Sequence, residues 1–368
     1  MLINSSRLNL IRNTALASVG LVLLSGCHAF KDDLPKCPEP MANISFSYTM
    51  NMDYQDYFAS SVHCLDLYVF KVIDSEARDG NASTVLVEKR HQENNDVIKT
   101  GNLSFNIPLV PGKYQAVVYG GMNCTESSFD KIFAENDKNL SIDDLYVAMS
   151  TKFYYDNSPE TGDPEEDGID HSALELHDHF YGISNVFDVL EQTTTPIKID
   201  MMKNTNIINF YIVDKDKYDL EAHDYRMYII DDNNEMGPDN LLIDSDDIVY
   251  RPYIKENTVS PKDATCPAIQ SSFSVSKLST RRTPKFAVVN KVLGNDRPLL
   301  VMNDLLDKLL AAKDSFPGAS SMDDQEFLNR NDEWTIITEM DIAKQTWVSI
   351  TVKVRDWEVR YDNIEAGF

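Results

Sequence analysis

A chain of 368 residues exceeds what one hydrophobic core usually organises, so its length predicts two domains. With 42% hydrophobic and 25% charged residues the composition excludes wholesale disorder, and 14 glycines with 15 prolines exclude a collagen-like chain. The balance of 34 Lys+Arg against 59 Asp+Glu, a net charge of −25, repels phosphate backbones and anionic lipid. It argues against nucleic acid as a partner and against membrane attachment by charge alone.

The first 26 residues read as an export signal. Arg7 and Arg12 are its only charges, and an apolar stretch follows from Ala15 to Leu24. That stretch is shorter than the roughly 20 residues that span a bilayer, and it suits the hydrophobic region of a signal peptide. It ends in Leu24-Ser25-Gly26-Cys27, which resembles the bacterial lipobox. Leu24, Ser25 and Gly26 are the expected signal-peptidase recognition residues, and Cys27 is the expected lipidation site. The resemblance implies diacylglycerol on the thiol and a further acyl chain, such as palmitate, on the amine that cleavage exposes. Several chains anchor stably where one is marginal. The other reading is a conventional secretory signal with an incidental cysteine.

Cleavage removes two arginines and no acid, which takes −25 to −27. Residues 27–42 form the expected tether. Its His28-Ala29-Phe30-Lys31-Asp32-Asp33 resembles the sequence that routes lipoproteins to the outer face in Bacteroidetes-type bacteria, and its prolines favour an extended spacer. With Cys27 acylated, Cys37, Cys64, Cys124 and Cys266 remain. A disulfide is permitted in an exported protein, but the spacings match no zinc pattern and assign no pair. Cys64 lies in an apolar strand pattern, which predicts a buried free thiol.

From Asn43 onward period-two alternation dominates. Ile44, Phe46 and Tyr48 share one face, as do Leu65, Leu67 and Val69 in 64–70, which predicts half-buried strands. Another strand is predicted over 103–109; Val110-Pro111-Gly112-Lys113 is a turn, and 114–119 returns from it. This hairpin resembles those of transthyretin-like sandwiches. An acidic stretch from Asp156 to Asp170 interrupts the pattern, and 179–182 and 186–190 close the first domain, 43–190. The polar link Glu191–Pro196 marks the expected boundary. The second domain, 191–368, is expected to begin with a strand over 197–201. Further strands are predicted at 207–213, 226–230, 285–289, 334–337, 347–354 and 357–360. One helix is predicted over 301–313, where Leu305, Leu306, Leu309 and Leu310 form an apolar stripe.

No nucleophile elbow, phosphate loop, dinucleotide fingerprint or H-E-x-x-H helix is present. Asp163-Pro164-Glu165-Glu166-Asp167-Gly168 imitates the start of a calcium loop, but its twelfth position is Leu174 and a solvated acidic loop is the expectation. His177 and His179 would share a strand face with no third ligand at motif spacing, so with His171 they read as exposed polar residues. The 17 tyrosines and 16 phenylalanines suit carbohydrate stacking, yet cross-strand pairing uses the same residues. No catalytic residue, metal or cofactor is assigned.

Several segments, taken in order, resemble the fimbrillin-A-associated anchor proteins of Bacteroidetes. They are Cys37-Pro38; Phe58-Ala59-Ser60-Ser61-Val62 before 65–70; Val110-Pro111-Gly112-Lys113-Tyr114; Tyr119-Gly120-Gly121; Phe180-Tyr181-Gly182; Lys203-Asn204-Thr205-Asn206; 324–330; and Trp357-Glu358-Val359-Arg360. Cys64 and the acidic insert near Asp156 depart from that pattern. The resemblance implies an all-β protein of two tandem transthyretin-like β-sandwich domains with one or two short helices. It implies no enzyme activity, and a lipid-anchored outer-membrane minor subunit that ties a fimbrium to the cell surface and limits its length. Fimbrial stalk subunits are the implied partners, met by strand addition, with Trp347–Phe368 as the segment offered. The competing reading is a surface glycan-binding lipoprotein of a polysaccharide-uptake system; a lipid-anchored glycoside hydrolase is a third.

Overall fold

The computed structural model describes residues 38–74, 83–93, 95–121, 127–133, 140–150, 170–292, 298–344 and 346–362. The expected signal peptide, its Leu24, Ser25 and Gly26, and Cys27 lie outside the described residues, as do Cys37 and the calcium-loop imitation at 163–168.

The first half contributes β1 (Met41–Met50), β2 (Cys64–Asp74), β3 (Ser83–Gln92), β4 (Ser104–Pro108), β5 (Gly112–Gly121), β6 (Phe129–Phe133), β7 (Leu145–Met149), β8 (Asp170–Ser172), β9 (His179–Ile183), β10 (Phe187–Val189) and β11 (Thr194–Lys203). The second contributes β12 (Asn206–Asp214), β13 (Tyr225–Asp231), β14 (Glu235–Met236), β15 (Ile248–Tyr250), β16 (Ile254–Val259), β17 (Pro267–Val275), β18 (Lys285–Asn290), β19 (Pro298–Met302), β20 (Glu333–Asp341), β21 (Thr346–Val354) and β22 (Trp357–Asp362). Short helices α1 (Phe58–Ser61), α2 (Asn95–Ile98), α3 (Leu305–Leu310) and α4 (Asp324–Arg330) connect them. The fold is therefore all-β, as expected, although the described residues hold four short helices where one or two were foreseen.

The first sheet runs β3-β2-β5-β9-β11-β1-β4, with β10 also on β5. Ile44 and Phe46 of β1 and Leu65, Leu67 and Val69 of β2 share one buried cluster although three strands separate them, so the sheet wraps around it. Gly182 lies inside this wrap; a Cβ there would meet Ile199 Cγ2 at 2.7 Å, so only glycine permits the approach. The half-burial expected of β2 does not hold. Its second face, with Tyr68 and Phe70, joins another cluster with Phe129 and Val147 of the small sheet β14-β7-β6. Nor is Cys64 a free thiol: it is disulfide-bonded, whereas Cys266 is free and buried.

The second body sets the sheet β16-β17-β12-β20-β21-β22 against β19-β18-β13-β15-β8. Phe210 of β12 stacks on Phe286 of β18 with ring centroids 3.6 Å apart, and Phe273 meets both rings edge-on. The helix foreseen over 301–313 is shorter, because Val301 is taken by β19 as the partner of Ala287. Its stripe is core, with Leu305, Leu306 and Leu309 buried.

Sheet membership does not change at the polar link 191–196. Gln192 turns the chain there with a φ of +58°, and β11 then pairs parallel with β1 from Met41↔Thr194 to Ser47↔Asp200. The change of sheet falls at Asn204-Thr205, between β11 and β12. In the other direction β8 joins β15, and β7 joins β14. One hydrophobic cluster accordingly runs from Tyr68 and Phe129 to Phe210 and Phe286, across both halves.

Candidate anchoring and docking surfaces

The path of the chain after Pro40 decides how the first sheet is completed. Leu109 N donates to Pro40 O at 3.1 Å and Met41 N to Thr193 O at 3.0 Å, so the chain enters the first sheet at once. β1 then lies between β11, parallel, and β4, antiparallel. Its alternation buries Ala42, Ile44, Phe46 and Tyr48 on the cluster side. Asp200 of β11 accepts from Ser47 Oγ and Thr49 N, each at 2.9 Å. A pull along β1 would have to shear both ladders together.

The turn that follows β1 is gripped by the second body. Asn51 donates from Nδ2 to Tyr48 O at 3.1 Å and Gln55 O at 2.8 Å, which shapes the turn. Arg330, on the last turn of α4, donates to Thr49 O at 3.2 Å and Asn51 O at 3.1 Å and lies 4.4 Å above the Tyr54 ring. Asp323 caps α4 by accepting from Glu326 N, and Glu326 pairs with Arg330 at 2.8 Å, which fixes the guanidinium. Arg355, in the turn between β21 and β22, pairs with Asp53 through its two terminal guanidinium nitrogens, Nη1 to Oδ1 and Nη2 to Oδ2, the latter at 3.0 Å. This hydrogen-bonded partner holds the Asp53 carboxyl below its ordinary range.

Where the sheets change, Lys203 pairs with Asp178 at 2.8 Å and Asp332 at 2.9 Å. Burial works against its ammonium, but the two carboxylates outweigh it and hold the pKa above the ordinary value. Asn204 and Asn240 exchange hydrogen bonds at 2.7 and 3.0 Å, and Tyr181 Oη donates to Pro238 O at 2.6 Å. His179 lies beneath them. It is 4% exposed, between the rings of Tyr119 and Phe129, and its Nε2 finds no hydrogen-bond partner. Burial pushes its pKa down to about 3. The expectation of exposed histidines fails here, because β9 begins only at His179 and turns it into the core while His177 stays in the preceding loop.

At the far end, Trp347–Val354 is not a free segment. β21 pairs with both β20 and β22, and Ile350, Val352 and Val354 are buried. β22 differs: its residues are exposed or half-buried, and it is the last strand of its sheet. Such an edge presents backbone donors and acceptors for an added strand.

Among the described residues no group of three or more His, Cys, Asp or Glu is placed to hold a metal ion, and no helix is long and apolar enough to cross a membrane. Sequence reasoning had no means of finding Arg355 or the carbonyls that Arg330 holds, since their partners lie about 280–300 residues away in the chain. The i,i+4 spacing of Glu326 and Arg330 was the one local signal.

The family model described as fimbrillin-A associated anchor proteins Mfa1 and Mfa2 matches residues 34–363. A candidate adhesin from Bacteroides thetaiotaomicron is 25% identical with a TM-score of 0.72, covering 89% of this chain and 99% of that one. A candidate polysaccharide-binding protein from the same species is similar in fold at 21% identity and TM-score 0.66, covering 88% and 99%. The fimbrial anchor protein Mfa2 from Porphyromonas gingivalis shares the fold at 14% identity and TM-score 0.58, covering 86% and 98%. No curated protein matches the sequence. Nearly the whole chain fits one family, and the chain belongs to the fimbrillin-A associated anchor proteins.

Proposed function

We propose that this chain is a non-enzymatic outer-membrane lipoprotein, a minor fimbrial subunit held to the cell by acyl chains on Cys27. Leu24, Ser25 and Gly26 would guide the signal peptidase. In this reading it anchors the fibre and limits its length through strand-addition contacts with the adjoining stalk subunit. Family membership supports the fimbrial setting. The observation that carries the anchoring role is β1: the strand directly after the tether fills the first sheet between β11 and β4. A subunit completed by its own N-terminal strand has no groove there for a donor, so growth stops at its membrane end. The tether, β1, the Arg330 and Arg355 grips and the second body then form one continuous route for tension.

The burial of β21 narrows the contact with the stalk to β22. Withdrawing Trp347–Val354 would open the second core, whereas the edge of β22 can accept a strand with the core closed. Tyr54 and Tyr57, two exposed aromatics near each other in sequence, serve Arg330 and Asp53, which disfavours a glycan platform at that turn. Deletion of Trp357–Phe368 tests the reading. Fimbriae are expected in the medium instead of on cells, and unchanged retention would refute the docking role of this edge.

A further inference from the structure

A cleft of about 260 Å³ opens between the end of β11, the turn at 239–242, the segment after β17 and α4. Lys277 and Arg281 line it together with Met202, Leu241, Leu242 and Ser279. Lys277 is only 7% exposed, and among the described residues the one hydrogen-bond contact of its side chain is Nζ to Met202 Sδ at 3.7 Å. A thioether is a weak acceptor and carries no charge. No carboxylate forms an ion pair with Lys277 or Arg281 among the described residues, in a chain with 59 acids. Asp239 is the one acid whose field supports the Lys277 ammonium, and its Oδ1 accepts from Leu241 N at 3.0 Å. His179 lies on the opposite side and feels Lys277 as a repelling charge. Burial outweighs Asp239 and pushes the Lys277 pKa down to about 8.

An ammonium stripped of water and given no counter-ion is costly unless something supplies one. The lining states what that would be. Asp239 also lines the cleft, but Lys277 and Arg281 outnumber it and call for a further anion, and the wall of Met202, Leu241 and Leu242 suits a short aliphatic stem behind it. No aromatic side chain offers a platform for a sugar ring. We propose that this cleft binds the carboxylate of a glutamate-sized side chain presented by a partner protein, with Lys277 as its counter-ion and Arg281 at the rim. The choice of a protein-borne acid over a free one rests on the reading of this chain as a fimbrial subunit; the carboxylate chemistry rests on the cleft alone.

The test uses the chain without its expected signal peptide, residues 27–368, titrated with N-acetylglutamate N-methylamide, propionate and glucuronate by calorimetry, with the Lys277 ammonium followed by NMR. The first two ligands are expected to bind at pH 7, raise the Lys277 pKa, and lose about tenfold in affinity per pH unit as the pH rises from the free-state value of about 8 toward the higher bound-state value. Lys277→Met is expected to abolish binding and to melt no lower than wild type, because it removes a charge without a counter-ion; Arg281→Gln weakens binding. Propionate bound without the blocked glutamate would overturn the protein-borne assignment, and preferential glucuronate binding would overturn the aliphatic one. Absence of any binding, or a Lys277 pKa unmoved by ligand in the wild-type chain, would overturn the site. None of these readings needs a fimbrium, so a failure here is distinct from a failure of the anchor reading.

Discussion

His179 makes the seam between the two bodies sensitive to acid. Its ring is buried and neutral, and its pKa falls from 6.5 to about 3. In the unfolded chain the imidazole takes up a proton below pH 6.5, while in the folded chain it does not until near pH 3. Stability is thus unaffected by this group above pH 6.5 and falls as the pH drops through that window. At about 1.4 kcal/mol per pH unit the full loss approaches roughly 5 kcal/mol, and at pH 4.5 it is about 3 kcal/mol. Because one hydrophobic cluster spans both halves, unfolding is expected as one transition. The assay is urea unfolding by circular dichroism at several pH values between 7 and 4.5, for wild type and His179→Leu. Carboxylates common to both chains cancel, and between pH 7 and 4.5 the wild type should lose about 3 kcal/mol more stability than the variant. Parallel curves, or an NMR titration placing His179 near 6.5, would refute the reasoning.

Gly182→Ala should lower stability by about 1–3 kcal/mol, read as a fall in Tm, since the new Cβ would press on Ile199, Val118 and Met201. Arg330→Ala should cost about 2 kcal/mol or more by leaving Thr49 O and Asn51 O without their charged donor, and hydrogen exchange should quicken over residues 49–57. Unchanged exchange there would show that the turn holds itself.

Most strands were legible because their faces alternate, and β1, β12 and β21 fall where period two places them. What local pattern could not show was pairing between distant segments. β11 looked like the start of a second domain because a polar link precedes it, yet its parallel ladder with β1 is made by residues about 150 apart. β7 and β8 flank the acidic stretch, and their partners β14 and β15 come much later in the chain. Cys64 sat in an apolar pattern and His179 among polar neighbours at the start of a strand; neither the disulfide of the one nor the depth of the other follows from spacing. Three segments matched to the family from sequence, Phe180–Gly182, Lys203–Asn206 and 324–330, converge at the seam through Tyr181, Lys203, Asn204 and Arg330. Their spacing carried the resemblance, and the folded chain supplies its physical reason.

The proposed attachment of this body to the membrane runs through a single cysteine, Cys27. A strain carrying Cys27→Ala, compared with wild type for fimbriae on washed cells and in the culture medium, reads that attachment directly. Fibres shed into the medium, longer than those on wild-type cells, are the predicted result. Fibres of unaltered length and number on the mutant cells would contradict it.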